Sequence, residues 1–350
     1  MKALIGMSGG VDSSVAAYLM MAQGYTCIGA TMRLYTGQDT GCCDTTNVAD
    51  AQAVADRLGI PFHVLDFSAD FQARVMDHFT RSYESGLTPN PCVECNRHLK
   101  FDRFLQSALE FGCDCIVTGH YARIQRLGDR YLLRKAVDEA KDQTYFLYSL
   151  TQHQLQHTCF PLGELTKADA RSIAAQQGFL NAKKRDSQDI CFIPDGDYLA
   201  FLQRYTGKTY PAGNYLDQSG NIVGTHKGAV AYTLGQRKGL NLAMGEPVYV
   251  CAKNMEKNTV TVGPNETLYR KELLATDWNW IAINGLTAPI RATAKARSRM
   301  AEQPATVYPE KNGFARVVFD EPQRALTPGQ AVVLYDGDTV IGGGTITEIL

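Results

Sequence analysis

The segment Ser8-Gly9-Gly10-Val11-Asp12-Ser13 constrains this chain more than any other feature. It lies between a β-prone run, residues 2–7, and an apolar run suited to a helix, residues 11–21. Two glycines let a chain turn sharply from strand to helix and bring backbone close to a ligand. The helix N-terminus then offers unpaired N–H groups and the positive end of a dipole. Ser8 and Ser13 add hydroxyls, and Asp12 would hold Mg²⁺ between phosphates. The plainer reading is a tight turn with Asp12 in a helix cap. Six specified residues in this setting favour a phosphate site instead. It is not a Walker loop, because no Gly-Lys-Ser/Thr follows, and its glycine spacing is not that of a dinucleotide fingerprint.

Strand and helix signals continue to alternate, as in a parallel sheet. Residues 25–32, 62–67 and 115–118 read as strands, and 47–58, 70–83 and 99–111 as helices. Residues 85–91, with two prolines and a glycine, read as a loop. Residues 121–135 read as a hairpin turning at Gly128-Asp129. Residues 142–179 read as mostly helical and 190–193 as a further strand. Beyond residue 205 strand-like runs dominate, at 229–233, 248–252 and 259–262, then at 293–296, 315–319, 331–335 and 344–348. The domains expected are an α/β unit over residues 1–200, a small β-rich unit over 205–270 and a β-barrel over 274–350.

Lys plus Arg number 35 and Asp plus Glu 36, a formal net charge of −1, with 45% hydrophobic residues. This composition suits a globular chain and excludes a disordered polyelectrolyte. No apolar stretch is long enough to span a membrane, and the N-terminal apolar run is too short for a signal-peptide core. A cytosolic address and reduced thiols are expected for the ten cysteines.

Two cysteine segments stand out. Asn90-Pro91-Cys92-Val93-Glu94-Cys95-Asn96-Arg97-His98-Leu99-Lys100-Phe101 contains a C-x₂-C pair. A four-cysteine zinc site would need a second such pair, and Cys113 and Cys115 are spaced C-x-C. Cys95 is expected where a helix begins, near Arg97 and Lys100, a setting that favours thiolate. Cys191, in Asp186-Ser187-Gln188-Asp189-Ile190-Cys191-Phe192-Ile193, reads by itself as a buried strand cysteine.

The Ser8–Ser13 hexapeptide resembles the PP-loop of the N-type ATP pyrophosphatases, which cleave ATP between the α and β phosphates. Further segments match one family in order and spacing. They are Asn90 to Phe101, Thr118-Gly119-His120-Tyr121-Ala122-Arg123, Lys141-Asp142-Gln143-Thr144-Tyr145-Phe146-Leu147, Ser187 to Ile193, Gly235-Gln236-Arg237-Lys238-Gly239-Leu240 and Pro328-Gly329-Gln330. Over essentially its whole length the chain resembles the tRNA-specific 2-thiouridylases.

That resemblance implies a Rossmann-like doubly wound parallel sheet, with the nucleotide at the carboxyl ends of its strands, followed by the central β-rich domain and the barrel. It places ATP on Gly6, Met7, Ser8, Gly9, Gly10, Val11, Asp12 and Ser13, with Met32 and Gly119 lining the adenosine site. A wobble uridine of tRNA, flipped from its stack, would lie near Asn90, Pro91 and Cys92. Lys141, Asp142, Gln143, His120, Gln330, Arg297 and Ser298 would contact the RNA. Cys191 would carry a persulfide delivered by a sulfur-relay protein or cysteine desulfurase. Cys95 would act as the second nucleophile, leaving a Cys95–Cys191 disulfide to be reduced. The family's basic motif often has Tyr where this chain has Ser298, and Cys92 stands where some members have Asp. Cys92, Cys95 and Cys191 would supply three ligands of a 4Fe–4S cluster in an alternative, less favoured mechanism. Between residues 290 and 320, six Lys/Arg against three Asp/Glu give a local excess of +3, which favours phosphate contacts. A solvated strand face is the plainer reading. The loops 36–44 and 85–95 are expected to move on binding, and the chain to be a monomer. The rivals are a PP-loop enzyme acting with ammonia on a small substrate, and a non-catalytic iron–sulfur or RNA-binding regulator.

Overall fold

The computed structural model describes residues 1–35, 45–182, 184 and 190–350. Cys42, Cys43, the loop 36–44 and Ser187, Gln188 and Asp189 lie outside the described residues. The first unit is a parallel sheet built from β1 (Lys2–Gly6), β2 (Thr26–Arg33), β3 (Phe62–Asp66) and β4 (Cys115–Val117). Helix α1 (Val11–Ala22) and helix α2 (Thr45–Leu58) connect its strands. A hairpin of β5 (Arg123–Leu127) and β6 (Arg130–Arg134) follows, and β7 (Thr158–Cys159) completes the sheet. The sheet order is β3-β2-β1-β4-β7, a doubly wound arrangement. Val15, Ala16 and Ala17 of α1 are fully buried, together with Ala51 and Ala55 of α2. Small side chains there let both helices lie close to the strands.

Two expected helices differ in form. The one expected over residues 70–83 runs from Ser68 to Glu84 and contains a widened π turn at Gln72–Met76. The one expected from residue 99 starts at Pro91 and includes a second π segment, Asn96–Arg103. Pro91 occupies the first helical position, where its missing N–H costs nothing, and the Asn90 side chain accepts from the Cys92 N–H at 3.1 Å. Residues 142–179, expected as mostly helix, contain short helical turns, the brief strand β7 and one longer helix, Lys167–Gln176. Residues 190–193 form turns rather than a strand.

The central unit is a four-stranded sheet of β8 (Gly213–Leu216), β9 (Ile222–His226), β10 (Tyr249–Asn254) and β11 (Thr259–Gly263). Residues 229–233, expected as strand, are a buried 3₁₀ turn and its exit. The last unit comprises β12 (Tyr269–Trp280), β13 (Ile290–Lys295), β14 (Gln303–Pro309), β15 (Ala315–Arg324), β16 (Ala331–Asp336) and β17 (Thr339–Ile349). Pairing of β12 with β17 closes these strands into a barrel. Its interior is filled by alternate residues, among them Leu273, Val307, Val317, Phe319 and Leu334.

The β5–β6 hairpin leaves the first unit and pairs with the barrel, Arg134 opposite Thr339. Asp338 accepts from Arg134 Nη2 at 2.6 Å and Arg123 Nη2 at 2.9 Å. The Arg134 hydrogen bond, with Arg123 adding to it, holds the Asp338 carboxyl below its ordinary pKa. The stabilisation it gives is therefore fully present above the ordinary carboxylate range of about 4 and is lost as pH falls through the depressed value. Asp338→Asn is expected to lower Tm at pH 7, and the gap to wild type is expected to shrink as the melt is repeated below pH 4. A gap constant with pH would show that the ion pairs do not hold the joint. Among the described residues no helix is long and apolar enough to cross a membrane.

Candidate functional site

The turn after β1 is held from several directions. Ser8 N–H donates to Ser13 Oγ at 3.1 Å, and the Ser13 and Ser14 hydroxyls both donate to the Gly10 carbonyl at 3.0 Å. Gly9 has φ +70°, and a Cβ there would stand 2.3 Å from the Asn47 carbonyl oxygen, so this position requires glycine. Gly10 caps α1, and Val11 is buried in the core behind it. The turn is a cradle at the carboxyl end of β1, with Ser8 and Ser13 lining a cavity of about 210 Å³. Gly6, Met7, Ser8, Asp12, Ser13, Met32 and Gly119 all line it. Gly9, Gly10 and Val11, expected to bind the nucleotide as well, are not among the residues lining it.

Asp12 is engaged by groups the sequence did not point to. Lys167 Nζ donates to its two oxygens at 2.8 and 2.7 Å, and the Tyr121 hydroxyl to one of them at 2.9 Å. The Lys167 side chain is only 11% exposed. Asn181 Nδ2 donates to the Gly9 carbonyl at 3.1 Å, and Lys184 Nζ joins the loop to Asn47 and Asp50 of α2. Lys167 follows Thr166, whose side chain forms a capping box with Asp169. That box predicts the helix but not where a side chain 155 residues from Asp12 will reach.

A second cavity, of about 500 Å³, adjoins the first. Leu34, Lys100, His120 and Gln143 line both. The second contains Pro91, Cys92, Cys95, Lys141, Asp142 and Cys191, and the barrel contributes Ser298 and Arg299. Cys95, expected at a helix start, sits a full turn inside the helix and is buried; Cys92, next after Pro91, is exposed. The helix N-terminus therefore acts more directly on Cys92 than on Cys95. Packing around Cys92 pushes its thiol pKa up, and the Lys100 ammonium opposes that shift. Cys191 is half-buried. Its neighbour Phe192 is driven into an aromatic cluster, 5.6 Å from Phe71, 5.4 Å from Phe79 and 5.1 Å from Phe201. Burial of such a ring stabilises by about 1.5–3 kcal/mol, which anchors the chain beside Cys191.

The polar walls are fixed as well. His120 Nδ1 shares a 2.8 Å hydrogen bond with the Thr118 hydroxyl. Burial, assisted by Lys100, drives the His120 pKa well below its ordinary value, so the ring is neutral at pH 7. Gln143 Oε1 accepts from the Tyr121 N–H at 2.9 Å. Asp142 accepts from the Ala136 N–H and the Thr144 hydroxyl, while burial raises its pKa. Asn96 donates to the Phe146 carbonyl at 2.9 Å, and its buried Oδ1 has no partner among the described residues.

Three expected contact residues lie outside the cavities. Asn90 is the helix cap. Gln330 Nε2 donates to the Thr88 carbonyl at 2.7 Å and Thr88 N–H to Pro328, so the barrel clamps the loop that leads to Asn90. Arg297 is turned inwards, bonded to Thr327 Oγ1 at 2.6 Å and to the Ala325 carbonyl, and burial lowers its pKa. Two of the six basic side chains in this stretch are also held in ion pairs, Arg291 with Asp320, and Arg316 with Glu272 and Glu310. From that run, Ser298 and Arg299 face the site. Among the described residues, no three His, Cys, Asp or Glu side chains gather closely enough to hold a metal ion.

Residues 1–195 match the family model described as the tRNA methyl transferase HUP domain. Residues 199–264 match the tRNA methyl transferase PRC-barrel domain, and 270–346 the aminomethyltransferase beta-barrel domain. A Clostridioides difficile protein named tRNA-specific 2-thiouridylase MnmA is 48% identical over 356 residues, covering 100% of this chain and 99% of that one. A protein of the same name from Symbiobacterium thermophilum is 49% identical over 361 residues, covering 100% of this chain and 93% of that one. A solved 4-thiouridine synthetase–RNA complex with bound ATP shows 17% identity and a TM-score of 0.34, covering 55% of this chain and 45% of that one.

Proposed function

The chain belongs to the tRNA-specific 2-thiouridylase family, and on that premise we propose that it converts a tRNA wobble uridine to 2-thiouridine at the expense of ATP. The observation that carries this reading is the shared wall between the Ser8–Ser13 cavity and the cavity containing Cys95 and Cys191. A nucleotide in the first and an extruded base in the second meet at Lys100, His120 and Gln143. Methyl transfer, the label on two of the family models, requires neither an ATP cradle nor two thiols around the acceptor base.

In the first step the uracil oxygen 2 attacks the α-phosphorus. The bond to the β-phosphate oxygen breaks, pyrophosphate leaves with the electron pair, and the N3 proton passes to water. The terminal sulfur of a persulfide on Cys191 then attacks carbon 2 and expels AMP. The Cys95 thiolate attacks the Cys191 sulfur, releasing 2-thiouridine and forming a disulfide that a dithiol reductant reopens. The sulfur comes from a persulfide-donating partner protein. Asp12 is the one carboxylate lining the nucleotide cavity among the described residues. That suits Mg²⁺, which takes one or two carboxylates plus substrate phosphates and supplies charge neutralisation there. It would compete with Lys167 for Asp12. Cys92, Cys95 and Cys191 line one cavity without gathering into a three-ligand group, and the sulfur is assigned to the persulfide on Cys191.

The test is incubation with unmodified tRNA, ATP, Mg²⁺ and a persulfide donor. Pyrophosphate release that requires tRNA, together with 2-thiouridine, is expected; ATP turnover indifferent to tRNA would point to a small-molecule enzyme. Gly119→Ala is a sharper check on the geometry. Its Cβ would stand 2.8 Å from the Asp12 carbonyl carbon and the Ser13 nitrogen, displacing the cradle. A shift of this kind is expected to cost about 100-fold in kcat/KM for ATP, with tRNA binding unchanged. An unaltered kcat/KM would place ATP elsewhere.

A further inference from the structure

We propose that Lys100 is a catalytic residue: its ammonium group holds the α-phosphate oxygens while the uracil oxygen attacks, at the point where the two cavities meet. The proposal rests on the thiouridylase reading and names a group that this reading leaves unassigned. Of the four residues lining both cavities, Leu34 is apolar, Gln143 is neutral and His120 is held uncharged. Lys100 is the one basic side chain common to both among the described residues besides the neutral His120 ring.

Its placement follows from the local backbone. Lys100 lies within the π segment Asn96–Arg103, and π turns occur frequently at functional sites. The neighbours on either side, Leu99 and Phe101, are completely buried. Phe101 also packs against the His120 ring, with centroids 5.6 Å apart. The segment is thus fixed on both sides of the lysine. The Lys100 charge reaches both His120 and Cys92, which places its field across the junction.

The chemistry requires a cation at that junction. As oxygen 2 bonds to phosphorus and the pyrophosphate oxygen departs, negative charge gathers on the α-phosphate oxygens. A fixed positive group there stabilises the transition state more than the bound substrates. Lys100 keeps its proton throughout. When AMP later leaves, the same charge faces the same phosphate.

Lys100→Met, which keeps the length and removes the charge, and Lys100→Arg are compared with wild type. The readouts are tRNA-dependent pyrophosphate release at saturating ATP and tRNA, KM for ATP, tRNA affinity and Tm. Lys100→Met is expected to lower kcat about 100-fold or more, with KM and tRNA affinity within about threefold and Tm not lowered. Lys100→Arg is expected to recover at least about tenfold of the loss, because the charge is restored on a differently shaped head. Pyrophosphate release unchanged while thiolation falls would overturn the proposal and assign Lys100 to the thiols. Equal loss in both variants with a lowered Tm would overturn it in favour of a structural role. Wild type failing to release pyrophosphate with tRNA would instead remove the thiouridylase reading itself.

Discussion

Cys191→Ser is expected to abolish 2-thiouridine formation while tRNA-dependent pyrophosphate release persists. A hydroxyl replaces the thiol with little change in volume, so the half-buried turn and the Phe192 anchor stay in place. What disappears is the atom able to carry a second sulfur. Loss of an obligatory nucleophile costs about 10⁴-fold or more, and thiolation is expected to fall on that scale. The nucleotide lies in the neighbouring cavity, which Cys191 does not line, and serine keeps the shape of the base cavity, so pyrophosphate release is expected within about threefold of wild type. Quantifying the modified nucleoside by mass spectrometry alongside pyrophosphate separates the two steps. Thiolation at near wild-type rate in Cys191→Ser would place the sulfur on another residue.

Asp12→Asn carries the second large effect, on the opposite step. The carboxylate receives Lys167 Nζ on both oxygens and the Tyr121 hydroxyl on one. An amide of the same shape keeps one acceptor oxygen and presents an N–H₂ group to the Lys167 ammonium. Two consequences are expected together. The cradle loses its negative partner for Lys167 and Mg²⁺, lowering pyrophosphate release about 100-fold or more. Lys167, only 11% exposed at its side chain, loses the ion pair that compensates its burial, so Tm falls as well. Binding of tRNA in the absence of ATP is expected to be unchanged. Full pyrophosphate release in Asp12→Asn would show that this carboxylate plays no part in the ATP step.

The parts of the fold legible in the sequence are those whose signal is local. Two glycines between an apolar strand and an apolar helix announce the phosphate loop, and Gly128-Asp129 announces the hairpin turn. Strands such as Ala331–Asp336 read correctly because β-branched and aromatic side chains sit in one uninterrupted run. The failures have physical causes. Pro91 after Asn90 signals a helix start, yet beside Pro89 and Gly86 it reads as loop, which shifts the expected helix start eight residues past its position at Pro91. Tyr269–Trp280 hides as a strand because charges crowd its first half, and Asp277 breaks its register with φ +52°. Residues 229–233 are apolar enough for a strand, but a short apolar run does not distinguish a strand from a buried turn.

The candidate site divides along the same line. The loop, both cysteines and the His120 and Gln143 walls are visible as motifs. Lys167, Asn181 and Lys184 reach the loop from the opposite end of the first unit, and only the tertiary fold brings them there. Gln330 and Arg297 are expected RNA contacts through the family resemblance. In the structure they tie the barrel to the loop before Asn90 and to Thr327. Hydrogen bonds of this kind between distant segments leave no local pattern in the sequence.

If both cavities act on one base, each adenylation is followed by one sulfur transfer at the same carbon. The most direct measurement is a single turnover with tRNA limiting, counting AMP and 2-thiouridine together over time. Equal amounts of both, and neither without tRNA, are predicted. AMP formed without tRNA, or 2-thiouridine formed without a matching amount of AMP, would contradict the coupling of the two cavities.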